Sequence, residues 1–231
     1  MAIPTHIRSV QQAIRTLSRL EREEVAEWIL SSPVFEVSVG ETAPPYGGRR
    51  KLTVEEYLHM EEDVSVRHEY VAGQIFAMSS PLIRHELITT NVLVQLQNQL
   101  RATPCRAWSS HTKVRLQVDQ EDIFYMPDVV VACGPFTEAV QNERYLTNPC
   151  LVVEVLSAST EAIDRREKAL NYRHIASLEE YLVIAQRSRE VTVFRRSENW
   201  IPQVLTAAED VFDSCALEVN VALTDIYAGV R

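Results

Sequence analysis

Two acidic residues lie in short apolar segments of the sequence, where an unpaired charge is costly. Asp128 directly precedes a run of three valines, and Glu154 lies inside the run LVVEVL (151–156). An ionised carboxylate buried there needs a basic side chain, a raised pKa or a metal ion nearby. A structural ion pair is the ordinary explanation for either residue alone. Two adjacent strands can, however, bring both carboxylates to one point, and such oxygen ligands favour Mg²⁺ or Mn²⁺ over zinc.

The segments that carry the two acids have the composition of central β-strands. YMPDVVVA (125–132) and NPCLVVEVLS (148–157) are short, strongly apolar and rich in β-branched residues. Because side chains alternate along a strand, we expect Val152, Glu154 and Leu156 to share one face.

The preceding segments predict a helix, a hairpin and a long helix. Thr53 and Glu56 have the spacing of a capping box, so we expect a helix from there to about Glu62. RHEYVAGQIFAMS predicts a hairpin that turns at Ala72-Gly73. A helix is predicted over about 83–102, because apolar residues recur at helical spacing (Ile88, Val92, Leu96 and Leu100).

The remaining segments predict further strands and one more helix. Residues 105–118 are strand-like, and we expect a polar turn over Asp119–Asp122. A helix is expected from Ser159 or Thr160 to about Ala176, followed by a hairpin around Arg187–Arg189 and short strands in the tail. This order predicts an α/β (α+β) fold with a mixed central β-sheet.

The first 50 residues differ in character from the rest. Residues 1–31 predict two short helices that break near Ser18, and residues 32–50 contain Pro and Gly pairs typical of a linker. We therefore divide the chain into a helical N-terminal extension with its linker (1–50) and one domain (51–231).

Composition indicates a globular protein, with 46% hydrophobic and 24% charged residues. No apolar run approaches the roughly 18 residues of a membrane span, and the N-terminus lacks the apolar core of a signal peptide. We expect a cytoplasmic protein with no membrane partner. The cysteines form no CxxC pair and are expected as reduced thiols (Cys105, Cys133, Cys150 and Cys215).

A resemblance to a known family emerges from the acids and their neighbours. Pro127-Asp128 followed by Glu154 resembles the PD-(D/E)xK nuclease signature. LTVEEYLHM, RHEYVAGQIFAMSS, YMPDVVV and NPCLVVEVLSASTEAIDRREKALNYRHI resemble the Uma2 family (DUF820) over about residues 51–228. The resemblance implies a restriction-endonuclease-like fold and a metal-dependent endonuclease that hydrolyses phosphodiester bonds. DNA is the implied substrate, and a homodimer is expected because many relatives in the wider superfamily pair to cut both strands.

Carried over by position, the resemblance implies roles for individual residues. Asp128 and Glu154 become the ligands of Mg²⁺ or Mn²⁺, and the backbone carbonyl of Val155 is a further candidate ligand. Glu69 is a candidate to complete the acidic cluster, although a strand carboxylate can equally face solvent. His85 is a candidate near phosphate or metal, the alternative being an ordinary polar residue near a helix end.

One position departs from the superfamily pattern. The lysine that normally follows the motif Glu by two residues is replaced by Leu156. The best substitute is Lys168, which shares a helix face with Asp164 and Tyr172 at a spacing of four residues. The alternative is a surface pair between Asp164 and Lys168, and Lys113 is the fallback.

Charge distribution bears on the substrate. The net charge of −9 argues against a simple basic nucleic-acid-binding protein. Residues 81–118 and 160–196 are nevertheless net positive, while the acidic segments 51–80 and 119–159 hold candidate ligands whose charge a divalent ion would partly cancel. We expect weak DNA binding that depends steeply on salt.

Two other classes of function compete with a nuclease. One is a catalytically inactive nuclease-fold module for interaction or dimerisation, against which the presence of Asp128, Glu154 and Lys168 argues. The other is a two-carboxylate glycosidase, which the low aromatic content of 7% disfavours.

Overall fold

A computed structural model describes residues 51–109, 111–134, 144–157 and 167–230. The predicted N-terminal helices and linker (1–50) lie outside these residues, as do Asp164 and the predicted helix start at Ser159 or Thr160. Within the described ranges, no helix is long and apolar enough to cross a membrane.

Helices and strands alternate irregularly along the described residues. The first half contains α1 (Val54–Met60), β1 (His68–Val71), β2 (Gln74–Ala77), α2 (Ile83–Leu100), β3 (Cys105–Ser109), β4 (Val114–Val118), β5 (Glu121–Tyr125) and β6 (Val129–Cys133). The second half contains β7 (Pro149–Leu156), α3 (Ala169–Tyr172), β8 (Glu180–Ala185), β9 (Val191–Arg195), β10 (Gln203–Leu205), β11 (Val211–Ser214), β12 (Val219–Ala222) and α4 (Leu223–Ile226).

The strands form a mixed central sheet with smaller companions. A six-stranded sheet has the order β10-β9-β8-β7-β6-β3, in which β7 and β8 are parallel and the other pairs antiparallel. A four-stranded antiparallel sheet has the order β2-β1-β5-β4, and β11 pairs with β12. The predicted α+β class with a mixed central sheet is confirmed.

Local sequence signals account for the elements before the acids. The Thr53 hydroxyl accepts from the Glu56 backbone N–H at 3.2 Å, and the Glu56 carboxylate accepts from the Thr53 N–H at 2.8 Å, so the capping box is present. The β1–β2 hairpin turns at Ala72 and Gly73, both with positive φ. A Cβ at Gly73 would meet the Lys51 side chain at 2.6 Å, which favours glycine there.

The two faces of the six-stranded sheet pack against different parts of the chain. On one face, Val153 packs with the apolar stripe of α2, whose four predicted residues are all buried. On the other face, Val152 and Leu156 pack with Tyr172 of α3. Glu154 contacts Tyr172 on this second face, as the alternation along β7 predicts.

The region between residues 119 and 128 differs from expectation. The polar turn is confined to Asp119 and Gln120, both with positive φ, and Glu121 already begins β5. Cross-strand pairing with β4 overrides the polar composition, because Arg115 and Asp122 form an ion pair at 2.9 Å. Tyr125 therefore ends β5, whereas the composition of residues 125–132 predicts it at the start of the next strand. The predicted helices also end earlier, at Met60 and Tyr172.

The prediction that all cysteines are reduced is wrong. Cys105 of β3 and Cys133 of β6 form a disulfide, while Cys150 and Cys215 are free thiols. The two bonded cysteines are 28 residues apart in sequence, but they face each other directly in the β3–β6 register. Local spacing does not show this pairing, because strand pairing brings the two sulfurs together.

A buried ion pair joins the strands beyond β7. Glu180 of β8 and Arg195 of β9 are cross-strand partners, with the arginine Nε 3.2 Å from Glu180 Oε1. Ser214 donates a further hydrogen bond to Glu180, and the Arg195 guanidinium also donates to the Asp213 carbonyl at 3.1 Å. Burial raises the pKa of Glu180 despite these partners. The stability of the buried ion pair therefore depends on all of these hydrogen-bond partners.

We predict that Arg195→Met lowers the free energy of unfolding by about 3–5 kcal/mol, because it leaves the Glu180 carboxylate buried without its cation. Urea unfolding measures the loss. Arg144→Met is the control, since Arg144 pairs with the exposed side chains of Glu55 and Glu62 and should shift the midpoint little. Equal midpoints for the wild type and Arg195→Met would contradict the prediction.

Candidate active site

Asp128 and Glu154 lie at the same level of two neighbouring strands. Val129 of β6 pairs with Val153 of β7 in antiparallel register. Asp128, just before Val129, therefore lies opposite Glu154, just after Val153. Asp128 Oδ2 accepts a hydrogen bond from the Val155 backbone N–H at 2.7 Å. The Glu154 side chain is only 5% exposed. The structure thus brings the two acids together as the sequence predicts, at the end of the β6–β7 ladder.

Lys168 supplies the cation that the buried acids require. Its Nζ lies 2.8 Å from Glu69 Oε1 and 3.1 Å from Glu154 Oε1, and it sits 5.2 Å from the centre of the Tyr125 ring. Because the side chain is only 6% exposed, Lys168 is not half of a surface ion pair. Leu156, at the usual position of the motif lysine, is buried among apolar residues instead.

Glu69 joins this centre from the four-stranded sheet. It lies on β1, opposite Tyr125 by extension of the β1–β5 register, and its Oε1 accepts from the Met126 backbone N–H at 3.1 Å. The same oxygen contacts Lys168. Glu69 therefore faces the other acids and not solvent, and its side chain is only 15% exposed.

His85 approaches from the first turn of α2 on the opposite side of Asp128. Its Nε2 lies 3.2 Å from Asp128 Oδ2, and the ring also hydrogen-bonds the backbone of Val155. Burial alone would lower the pKa of His85, but the hydrogen bond and charge of Asp128 outweigh it, so the pKa is raised. The raised pKa favours the protonated imidazole, whose Nε2 contacts the carboxylate of Asp128.

Two tyrosines belong to the centre, and the sequence did not single them out as site residues. The Tyr172 hydroxyl donates to Glu154 Oε1 at 3.2 Å, and burial raises its pKa well above the ordinary value. The Tyr125 hydroxyl accepts from Asn171 at 2.7 Å and donates to Glu167 at 3.3 Å. The spacing of four residues between Lys168 and Tyr172 is the signal that could have identified Tyr172.

Lys113 lies in a different environment from Lys168. The charges that act on it belong to Glu61, Arg67, Arg144 and Glu62, and burial lowers its pKa. Lys168, and not this fallback, contacts both Glu69 and Glu154.

The oxygens of the site converge on two basic side chains, Lys168 and His85. Glu69 and Glu154 meet at Lys168, while Asp128 and the Val155 backbone meet at His85. Within the described ranges, no three His, Cys, Asp or Glu side chains are grouped as a ready metal cage. The donors are carboxylate and carbonyl oxygens, however, and this chemistry fits a hard divalent cation such as Mg²⁺.

The structure defines a protein of the α+β class, whose mixed central sheet carries two acids on adjacent strands beside a buried lysine. The sequence profile of the Uma2 family, described as "Putative restriction endonuclease", matches residues 54–224. The chain therefore belongs to the Uma2 family.

Individual relatives extend this assignment. The uncharacterised protein slr1290 of Synechocystis sp. is 34% identical over 181 residues, covering 78% of this chain and 93% of the relative. The uncharacterised protein sll1609 of the same organism is 30% identical over 135 residues, covering 58% and 75%. A crystal structure of a "putative nuclease belonging to DUF820" from Anabaena variabilis superimposes with a TM-score of 0.65 at 16% identity, covering 78% of this chain and 99% of that one. It shares the fold.

We predict that Tyr172→Phe lowers the free energy of unfolding by about 1.5–3 kcal/mol, because its hydroxyl donates to a buried carboxylate. Tyr70→Phe is the matched control, since the buried Tyr70 donates to the neutral Leu52 carbonyl at 2.9 Å and should cost about 1 kcal/mol. Urea unfolding of both variants compares the two losses. A smaller loss for Tyr172→Phe than for Tyr70→Phe would contradict the carboxylate contact.

Proposed function

We propose that this protein is a divalent-metal-dependent endonuclease that hydrolyses phosphodiester bonds in DNA. The observation that carries the proposal is the buried Lys168 ammonium, held by Glu69 and Glu154 beside Asp128. A lysine and acids gathered from separate elements are the groups that phosphodiester hydrolysis needs for charge neutralisation and water activation. Family membership supports the same reaction class.

Asp128, Glu154 and the Val155 carbonyl are the residues that would hold the metal, Mg²⁺ or Mn²⁺. When bound, such an ion supplies a water of lowered pKa and polarises the phosphate. The Val155 N–H already holds Asp128 Oδ2 at 2.7 Å, so this carboxylate is oriented before any ligand arrives. Rigid orientation of this kind lowers the reorganisation that accompanies the reaction.

Lys168 would offset negative charge that develops on the phosphate or orient the attacking water. Its position is set by Glu69 on one side and the Tyr125 ring on the other. Because the ammonium is nearly excluded from solvent, its field is screened less than that of a surface lysine. Glu69 thus acts as a positioning residue for Lys168 in this proposal.

His85 would orient Asp128 and stand near the phosphate. Its Nδ1 is buried and has no hydrogen-bond partner among the described residues, while Nε2 faces Asp128. In this proposal the imidazole acts on Asp128 through Nε2.

A second candidate function is an inactive nuclease-fold module for interaction or dimerisation. The observation that favours it is the saturation of the acids by protein cations: Lys168 bridges two of them, and His85 contacts the third. In this alternative the centre is a structural ion cluster, which stabilises the meeting of the two sheets and binds no metal.

We predict that the purified full chain nicks supercoiled plasmid DNA with Mg²⁺ or Mn²⁺ and does not do so with EDTA. Glu154→Gln, Asp128→Asn and Lys168→Met should each lower the nicking rate at least about 100-fold, since each removes a charge from the reacting centre. Glu179→Gln is the matched control, because Glu179 is 45% exposed and pairs loosely with Arg196 at 3.9 Å.

Calorimetry with Mn²⁺ distinguishes variants that lose metal binding from variants that lose only catalytic activity. The double variant Asp128→Ala, Glu154→Ala should bind Mn²⁺ more weakly than the wild type, whereas Lys168→Met should keep binding while losing activity. If the folded wild type neither binds Mn²⁺ nor nicks DNA or RNA, the nuclease proposal fails and the interaction module takes its place.

We propose further that the protein is a homodimer, because many relatives in the wider nuclease superfamily pair to cut both strands of a duplex. The prediction is a solution mass near twice the 26.3 kDa of one chain, measured by light scattering at low and high salt. Removal of residues 1–50 tests whether the extension holds the dimer. A mass of one chain at all concentrations would rule the dimer out.

A further inference from the structure

Three cysteine sulfurs lie together on three adjacent strands, away from the acidic centre. Cys105 of β3 and Cys133 of β6 are joined by a disulfide, and the free thiol of Cys150 on β7 lies 3.5 Å from Cys133 Sγ. The Cys150 thiol also donates to the Val131 carbonyl at 3.3 Å. A thiol in contact with one sulfur of a disulfide is placed for attack on that sulfur.

An irregularity in strand pairing brings the third sulfur into place. Val131 pairs with Leu151, but Ala132 pairs with Pro149, so Cys150 is the extra residue of a β-bulge. In an unbroken antiparallel register Cys150 would oppose Ala132, and its side chain would point away from the face that Cys133 occupies. A bulge redirects a side chain in this way. All three cysteines consequently pack against the same core cluster.

We propose that Cys105, Cys133 and Cys150 form a thiol–disulfide exchange centre, in which Cys133 pairs with either of its two neighbours. The Cys150 thiolate attacks Cys133 Sγ, the Cys133–Cys150 bond forms, and the Cys105–Cys133 bond breaks. Cys105 leaves as a thiolate and takes up the proton that Cys150 released. The step is an isomerisation, so it needs no oxidant or reductant, and it stands independently of the proposed nuclease function.

The exchange changes which strands are covalently linked. In the form described by the structure, the disulfide joins β3 to β6. In the alternative form it joins β6 to β7, at the end of their ladder that is remote from Asp128 and Glu154. A bond between these strands restrains the ladder that carries both acids.

The surroundings of Cys150 set the rate of exchange. Burial raises the pKa of its thiol to about 11, and the charges of Glu180 and Glu179 raise it further, while the backbone of Cys150 and Leu151 lowers it. Few molecules therefore carry the thiolate at pH 7. Below the pKa, the thiolate fraction grows about tenfold for each unit by which the pH is raised. Exchange should be slow at neutral pH and on the order of 100-fold faster at pH 9.

Tryptic mapping distinguishes the two bonds, because each cysteine falls on its own peptide. Cys105 lies on residues 102–106, Cys133 on 116–144 and Cys150 on 145–165. The full chain is incubated at pH 7 and pH 9 without added thiol, quenched with acid, alkylated with N-ethylmaleimide, digested and analysed by mass spectrometry. We expect the alkyl label to appear on Cys105 and to fall on Cys150 by the same amount, faster at pH 9.

Cysteine variants test which sulfurs take part in the exchange. Cys150→Ser should keep only the Cys105–Cys133 link and never label Cys105. Cys105→Ser, oxidised with glutathione disulfide, should form the Cys133–Cys150 link, while Cys215→Ser should behave as the wild type. The proposal is overturned if Cys105 of the wild type stays unlabelled between pH 7 and pH 9, a readout that requires no variant to fold. It is equally overturned if natively folded Cys105→Ser leaves Cys133 and Cys150 as separate thiols.

Discussion

The candidate site depends on one buried ammonium group between two buried carboxylates. Lys168 lies within 3.1 Å of both Glu69 and Glu154, and without it the two acids would repel each other in a medium of low polarity. The interaction also joins three separate elements of the chain: Glu69 belongs to the four-stranded sheet, Glu154 to the six-stranded sheet, and Lys168 lies just before α3. The same ion pairs of Lys168 therefore neutralise the acids of the site and link the two sheets.

The remaining contacts extend this charge balance to Asp128. His85 from α2 faces Asp128, and the backbone of Val155 contacts both of these side chains. Helix α2 packs on one face of the central sheet, whereas Tyr172 and Lys168 lie on the other. The acids at the end of the β6–β7 ladder are thus reached by a basic side chain from each face. The proposed metal-dependent nuclease and the alternative structural ion cluster both rest on this arrangement.

Much of the fold follows from local patterns. The capping box at Thr53, the turn at Ala72-Gly73 and the apolar stripe of α2 each depend on residues within a few positions of one another, and each is present. The wrong predictions lie where pairing between segments far apart in sequence determines the structure. Strand β5 begins within residues predicted as a turn, because β4 and β1 pair with it on both sides. The cysteines predicted as reduced include a cross-strand disulfide for the same reason.

The sequence by itself determined which residues carry charge inside apolar segments, and hence that Asp128 and Glu154 needed a partner. Burial in a strand follows from composition and periodicity, which are local properties. Only the tertiary structure decided what that partner is. Lys168 instead of Lys113 reaches the acids, because it directly precedes α3, which packs on the sheet face that holds Glu154. The same holds for His85 at Asp128 and for the three sulfurs, since contacts between residues far apart in sequence depend on sheet order, register and one bulge.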